Sequence, residues 1–141
     1  MCRLLDTHGS DAMAALDTGR LVVAFASFKT LGQQYLLEAV HAVAQSTVPV
    51  WHHKLLYAWC ARQLPPPSAH AIAPADVCAA HPKLWAEVQL AERCGPRLAD
   101  ALSGAVAYQE LLFPGGSMEA VLPVYEDAVG AAFYNGCVVA A

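Results

Sequence analysis

The residues best suited to a binding pocket gather between Phe113 and Asn135. They are the turn Phe113-Pro114-Gly115-Gly116, Ser117 and Met118 directly after it, Tyr125, and the triplet Phe133-Tyr134-Asn135. Aromatic side chains grouped around a rigid apolar turn suit the wall of a dry pocket. Their rings exclude water, and rings that face a cation attract it electrostatically. Proline and glycine also supply the backbone angles of any helix connection, and each aromatic competes for a plain packing role. The spacing therefore predicts shaping and binding, and no catalytic residue is assigned.

Other chemically capable positions carry weaker signals. His52 and His53 are adjacent, and neighbouring helical residues point about 100° apart; with no further ligand at suitable spacing, no metal site is expected. His81 before Pro82 reads as a loop or cap residue. Asp17-Thr18-Gly19 has the letters of an aspartic-protease loop, but it occurs once, within a helical pattern and without flanking strands, so chance accounts for it. The five cysteines, Cys2, Cys60, Cys78, Cys94 and Cys137, lie far apart and form no C-x-x-C pair. They are expected to be reduced and largely buried thiols.

Taken in order, Leu111-Leu112-Phe113-Pro114-Gly115-Gly116-Ser117-Met118-Glu119-Ala120-Val121, then Tyr125, then Phe133-Tyr134-Asn135 resembles the stretch that ends the N-terminal helical part of carbon-methyltransferase domains in modular polyketide synthases. The run into the turn, with His81-Pro82-Lys83-Leu84 and Glu92-Arg93-Cys94-Gly95-Pro96-Arg97-Leu98-Ala99-Asp100-Ala101-Leu102-Ser103-Gly104, is also similar to that family. The match is weaker at Ala128-Val129-Gly130-Ala131, where several family members have polar or charged residues. Over Asp11 to Gln63 only the general helical layout is shared. The resemblance implies a helical cap over a pocket for S-adenosylmethionine and an acyl-carrier-bound polyketide. Phe113, Ser117, Met118, Tyr125, Phe133, Tyr134 and Asn135 would then face substrate or cofactor. In that family a Rossmann-like core follows, with the glycine-rich cofactor turn and a histidine base. The implied partners are thus that core and an acyl carrier protein, and the chain alone is expected neither to turn over nor to bind the cofactor tightly.

Composition bounds these readings. Hydrophobic residues make up 57% of the chain and charged residues 14%, against about 25% charged in ordinary domains, so part of the apolar excess is expected to face a neighbouring domain. A net charge of -4 with eight Lys and Arg in total gives no basic footprint for nucleic acid. Mean hydropathy is +0.38, yet prolines at Pro49 and Pro65-Pro66-Pro67 break the uncharged stretches below the roughly 20 residues a bilayer requires. No secretory signal is evident behind Arg3, and a cytoplasmic protein is the default expectation.

The elements that must hold the candidate residues are read from periodicity and punctuation. Residues 1–10 carry no pattern and are predicted to be a disordered leader, with a helical subdomain over 11–141. Its first part, 11–63, begins with a helix from Asp11 carrying Leu16, Leu21, Phe25, Phe28 and Leu31 at helical spacing and stopping at Gly32. A second helix covers Gln33 to Gln45, Ser46 and Thr47 offer a capping hydroxyl, and a third helix runs from Val50 to Gln63. In that helix Trp51, Leu55 and Trp59 form an i, i+4, i+8 stripe expected to face the core. Residues 64–73 read as an exposed, polyproline-like and mobile connector.

In the second helical group, 74–141, a helix starts near Pro74, Pro82 interrupts it, and Gly95-Pro96 closes it. Arg97 to Leu102 and Tyr108 to Leu112 make short turns of helix before the Phe113–Ser117 turn. Ser117 is placed as an N-cap, Pro123 shortens or bends the next helix, and Asp127 caps a last one ending in Cys137-Val138-Val139-Ala140-Ala141. That apolar end is expected to lead into a larger polypeptide. With no convincing period-two alternation, the fold expected is all-α, an irregular set of six to eight mostly short helices. The main alternative to the methyltransferase cap is a non-catalytic helical docking or dimerisation module of a megasynthase; a helical protein with its own closed ligand cavity ranks third.

Overall fold

The computed structural model describes residues 17–63 and 71–139. The predicted leader, residues 11–16 of the first predicted helix, and the connector up to residue 70 lie outside the described residues. Within them the fold is all-α, with eight helices and no strand: α1 Thr18–Ala42, α2 Trp51–Gln63, α3 Pro74–Ala80, α4 Trp85–Cys94, α5 Leu98–Ser103, α6 Tyr108–Leu112, α7 Leu122–Glu126 and α8 Val129–Val139. Short 3₁₀ turns link several of them.

The organising element is α1, whose 25 residues span about 37 Å at the α-helical rise. The Asp17 side chain caps it by accepting from the Arg20 amide at 3.0 Å, so the Asp-Thr-Gly triplet is a helix start. The expected stop at Gly32 is absent, and one helix replaces the two predicted. Fully buried Leu31 and buried Tyr35 stand on either side of Gly32, and their packing outweighs a glycine's helix cost of about 1 kcal/mol. Ala24, Leu31 and Tyr35 form a stripe that meets Val77 of α3, Leu84, and Val88 of α4, with Phe28, Ile72 and Leu98 around them. Ile72 is further tied to α1 by donating its amide to Gln34 Oε1 at 3.0 Å.

Proline sets the second group as expected. Pro74 opens α3, and Pro82 opens the 3₁₀ turn that feeds α4. Gly95-Pro96 closes α4 at Cys94 as expected, and a 3₁₀ turn over Gly95–Arg97 leads directly into α5. Gly95 is buried, and a Cβ built there would overlap the Tyr35 ring. Its role is to let that ring approach the backbone.

The face of α2 is reversed from expectation. Trp51, Leu55 and Trp59 are 71%, 62% and 54% exposed, while Cys60 is buried. What holds the opposite side inward is Tyr57, whose hydroxyl lies 3.0 Å from the Val40 carbonyl and 2.9 Å from the Val43 carbonyl near the end of α1. The Thr47 hydroxyl bonds back to the Ala44 carbonyl at 2.7 Å rather than serving α2.

Candidate functional site

The Phe113–Ser117 turn is anchored from α4. Arg93 Nε donates to the Leu111 carbonyl at 3.1 Å, and the Cys94 thiol points at the same oxygen from 3.8 Å. Leu111 itself is buried. The chain then reverses through a 3₁₀ turn in which Gly115 and Gly116 take φ of 58° and 82°, the left-handed region where a side chain is disfavoured. Glu110 supports it by accepting the Gly115 amide at 3.4 Å. The two glycines are thus required by the path of the backbone, as the sequence suggested.

Ser117 accepts the Glu119 amide on its hydroxyl at 3.2 Å. This closes a turn over Met118 to Val121 and does not cap a helix, because α7 begins only at Leu122 with Pro123 in its first turn. Buried Val121 pins the turn. Asp127 likewise does not cap α8. It closes α7 by donating its amide to the Pro123 carbonyl at 2.8 Å, and buried Ala128 stands at the entrance to α8, where the Ala132 amide donates to its carbonyl.

Five of the seven candidate residues fall into three settings. Ser117 lines an open groove of about 480 Å³ with Gln89, Arg93, Pro114, Glu119 and Ala120. Tyr125 and Asn135 are joined, since Asn135 Nδ2 donates to the Tyr125 carbonyl at 2.9 Å and so locks α8 onto α7. Phe133 and Tyr134 stand edge to face with ring centres 5.3 Å apart. Met118, Tyr125 and Tyr134 are exposed, Phe113 and Phe133 half-buried. Of these, Tyr125 on α7 and Phe133 and Tyr134 on α8 make an outward aromatic edge, Phe113 and Met118 precede α7, and Ser117 alone of the seven lines the groove. No residue of α8 is buried, and Val138 and Val139 are 76% and 88% exposed.

Gln89 and Arg93, which form the far wall of the groove, were given no role in the sequence reading. Nothing in the local sequence around Arg93, with Glu92 beside it and Gln89 one turn before, sets it apart from an ordinary solvated helix face. A second hollow, of about 360 Å³, opens between the start of α1 and the Pro82 turn, lined by Arg20, Leu21, Ala24, His81 and Lys83 among others. Beside it His81 Nε2 lies 3.1 Å from Ser27 Oγ, a contact between α1 and the junction after α3 that sequence spacing could not reveal.

The described cysteines, Cys60, Cys78, Cys94 and Cys137, are all free thiols. Burial pushes the Cys60 thiol up, against a weaker lowering by a backbone hydrogen bond. Burial also raises Cys94, against a smaller opposing effect of Arg93. Both are therefore poor nucleophiles at neutral pH. His52 and His53 stack edge to face on each other at 4.7 Å, and among the described residues no three metal-type ligands come together. Nor is any described helix long and apolar enough to cross a membrane. Comparison with protein-family models, curated proteins and solved structures finds no match to the chain.

Proposed function

We propose that the chain is the helical cap of an S-adenosylmethionine-dependent carbon-methyltransferase domain in a polyketide synthase, working in the cytoplasm. The observation that carries this reading is the outward aromatic edge of Tyr125, Phe133 and Tyr134, continued by exposed Val138 and Val139, on two helices locked by Asn135. Such an edge is built to be covered. The cofactor supplies an electrophilic methyl group on a sulfonium. The residues here fit one wall of its site, because exposed rings can turn a face to that positive charge. They do not enclose it, so the rest of the site belongs to a Rossmann-like neighbour.

In this reading the cap's contribution is positional. Methyl transfer to carbon needs a proton removed beside a thioester carbonyl, an in-line approach of the carbanion, and exclusion of water. Phe113, Met118 and the α7–α8 edge exclude water, and the acyl chain arrives on a carrier protein. The glycine-rich turn keeps Ser117 and Met118 at fixed height beside the groove. No proton is assigned to a residue of this chain.

The test mixes the chain with a separately produced polyketide synthase methyltransferase core and follows methyl transfer from labelled S-adenosylmethionine to a carrier-bound β-ketothioester. The expected result is a gain in turnover that Tyr134→Ala reduces about tenfold or more, while the chain alone binds the cofactor no tighter than about millimolar. Sub-millimolar binding by the chain alone, or a core indifferent to its presence, would overturn the proposal. The exposure of Trp51, Leu55 and Trp59 on a different face favours one addition to this reading, a docking role.

A further inference from the structure

The outer face of α2 is uncovered and differently charged from the rest of the molecule. Trp51, Leu55, Trp59 and Arg62 follow one another at four, four and three residues, so they share one side of the helix. All four are exposed, as are His52 and Lys54. The opposite side is held by buried Cys60 and by the Tyr57 hydroxyl, whose one proton is shared between the Val40 and Val43 carbonyls at the end of α1, so the face is presented by a fixed helix with little left to order on binding.

Charge then distinguishes the occupant. From Ala39 to Ala75 the sequence has no Asp or Glu and carries Lys54 and Arg62, in a chain of net charge -4. From Leu98 onward the reverse holds, with Asp100, Glu110, Glu119, Glu126 and Asp127 and no Lys or Arg. Two copies meeting through α2 would oppose Lys54 and Arg62 with no carboxylate between them. An anionic bilayer is a poor match as well, since recognition of that kind uses about four to eight clustered cations. Tryptophan and arginine, by contrast, are the side chains that most often anchor protein interfaces, and a helix reads into a groove through anchors at such spacing.

The geometry points to α2 as a docking helix whose Trp51, Leu55 and Trp59 enter an apolar groove of an acidic protein partner, with Lys54 and Arg62 meeting carboxylates on the groove's rim. The surface is carried by different residues from those of the α7–α8 edge. Its choice of partner rests on the methyltransferase-cap reading, in which an acidic acyl carrier protein must reach this domain.

Isothermal titration of the full chain with an acidic acyl carrier protein at low salt tests this. Saturable binding is expected, weakened about tenfold or more by Trp51→Ala and by Trp59→Ala. The double variant Lys54→Glu with Arg62→Glu should lose affinity to a similar degree together with most of its salt dependence. Trp85→Ala, on α4, leaves binding unchanged. Circular dichroism keeps the test fair, since the replaced side chains are exposed. No binding, or equal binding by the tryptophan variants, overturns the proposal. It is also overturned if Trp51 and Trp59 instead drive self-association, or adsorption to phosphatidylglycerol vesicles. A carrier that binds without regard to α2 leaves the cap reading standing. Failure of the mixing experiment alongside α2-dependent carrier binding removes the cap and keeps the docking face.

Discussion

Helices α1 and α8 are both strongly apolar, yet one is the centre of the molecule and the other has no fully buried residue. Five residues of α1 are buried, Ala24, Leu31, Tyr35, Ala39 and Val40, because α2, α3 and α5 pack around it. None is buried in α8, whose principal contact is with α7. Apolar content raises the free energy of exposure in both. What differs is whether another element of this chain stands opposite. The contrast teaches that the apolar excess of the sequence divides into a part that holds the fold and a part available for neighbours.

That division can be broken most directly by truncating one residue from each side. Leu31→Ala removes a fully buried side chain and should cost about 2–5 kcal/mol in chemical denaturation, whereas Val139→Ala should stay within about 0.5 kcal/mol. Similar losses at both positions would mean that α8 is already part of the core. A smaller effect is expected at the α1–α4 junction. Gly95→Ala drives a methyl group into the Tyr35 ring and should destabilise by about 1–3 kcal/mol. Combining it with Tyr35→Ala should give a loss well below the sum of the two single changes, and strict additivity would break the assigned contact.

The smallest effect is a dependence on alkaline pH that belongs to the packed region. Burial raises Tyr35 first, with Glu92 and Glu38 adding to it, and burial raises Cys60 and Cys94. Each group then holds its proton more firmly folded than unfolded. Stability from these groups is complete below their unfolded values, about 8.5 for thiols and about 10 for the phenol, and declines as pH rises through and above them. Denaturation midpoints should therefore fall from about pH 9 upward. Tyr35→Phe should flatten the part above about pH 10, and an unchanged profile would place that ring in a wetter setting.

Punctuation made much of the second half legible. Pro74, Pro82 and the glycines of the Phe113–Ser117 turn act through local backbone sterics, which need no distant partner. The helices they bound, α3, α4 and α6, fall where the sequence suggests. Gly32 does not stop α1, because its local cost is small beside the packing of Leu31 and Tyr35. The direction of the α2 stripe is hidden from the sequence for a related reason. Spacing at i, i+4, i+8 establishes that Trp51, Leu55 and Trp59 share a side, and it is silent on which way that side turns. Of the candidate site, the positive-φ turn was readable, while the Asn135 clamp on Tyr125 and the Arg93 anchor on Leu111 depend on atoms brought together over ten and eighteen residues.

The sequence by itself determined that this is a helical chain with too much apolar surface for its own core, because periodicity, proline and glycine operate within a turn or two of backbone. Only the tertiary structure decided which apolar faces are hidden. Burial is a relation between elements, and in α2 it is Cys60 and Tyr57, with its hydroxyl on the carbonyls at the end of α1, that lie inward while the tryptophans face water.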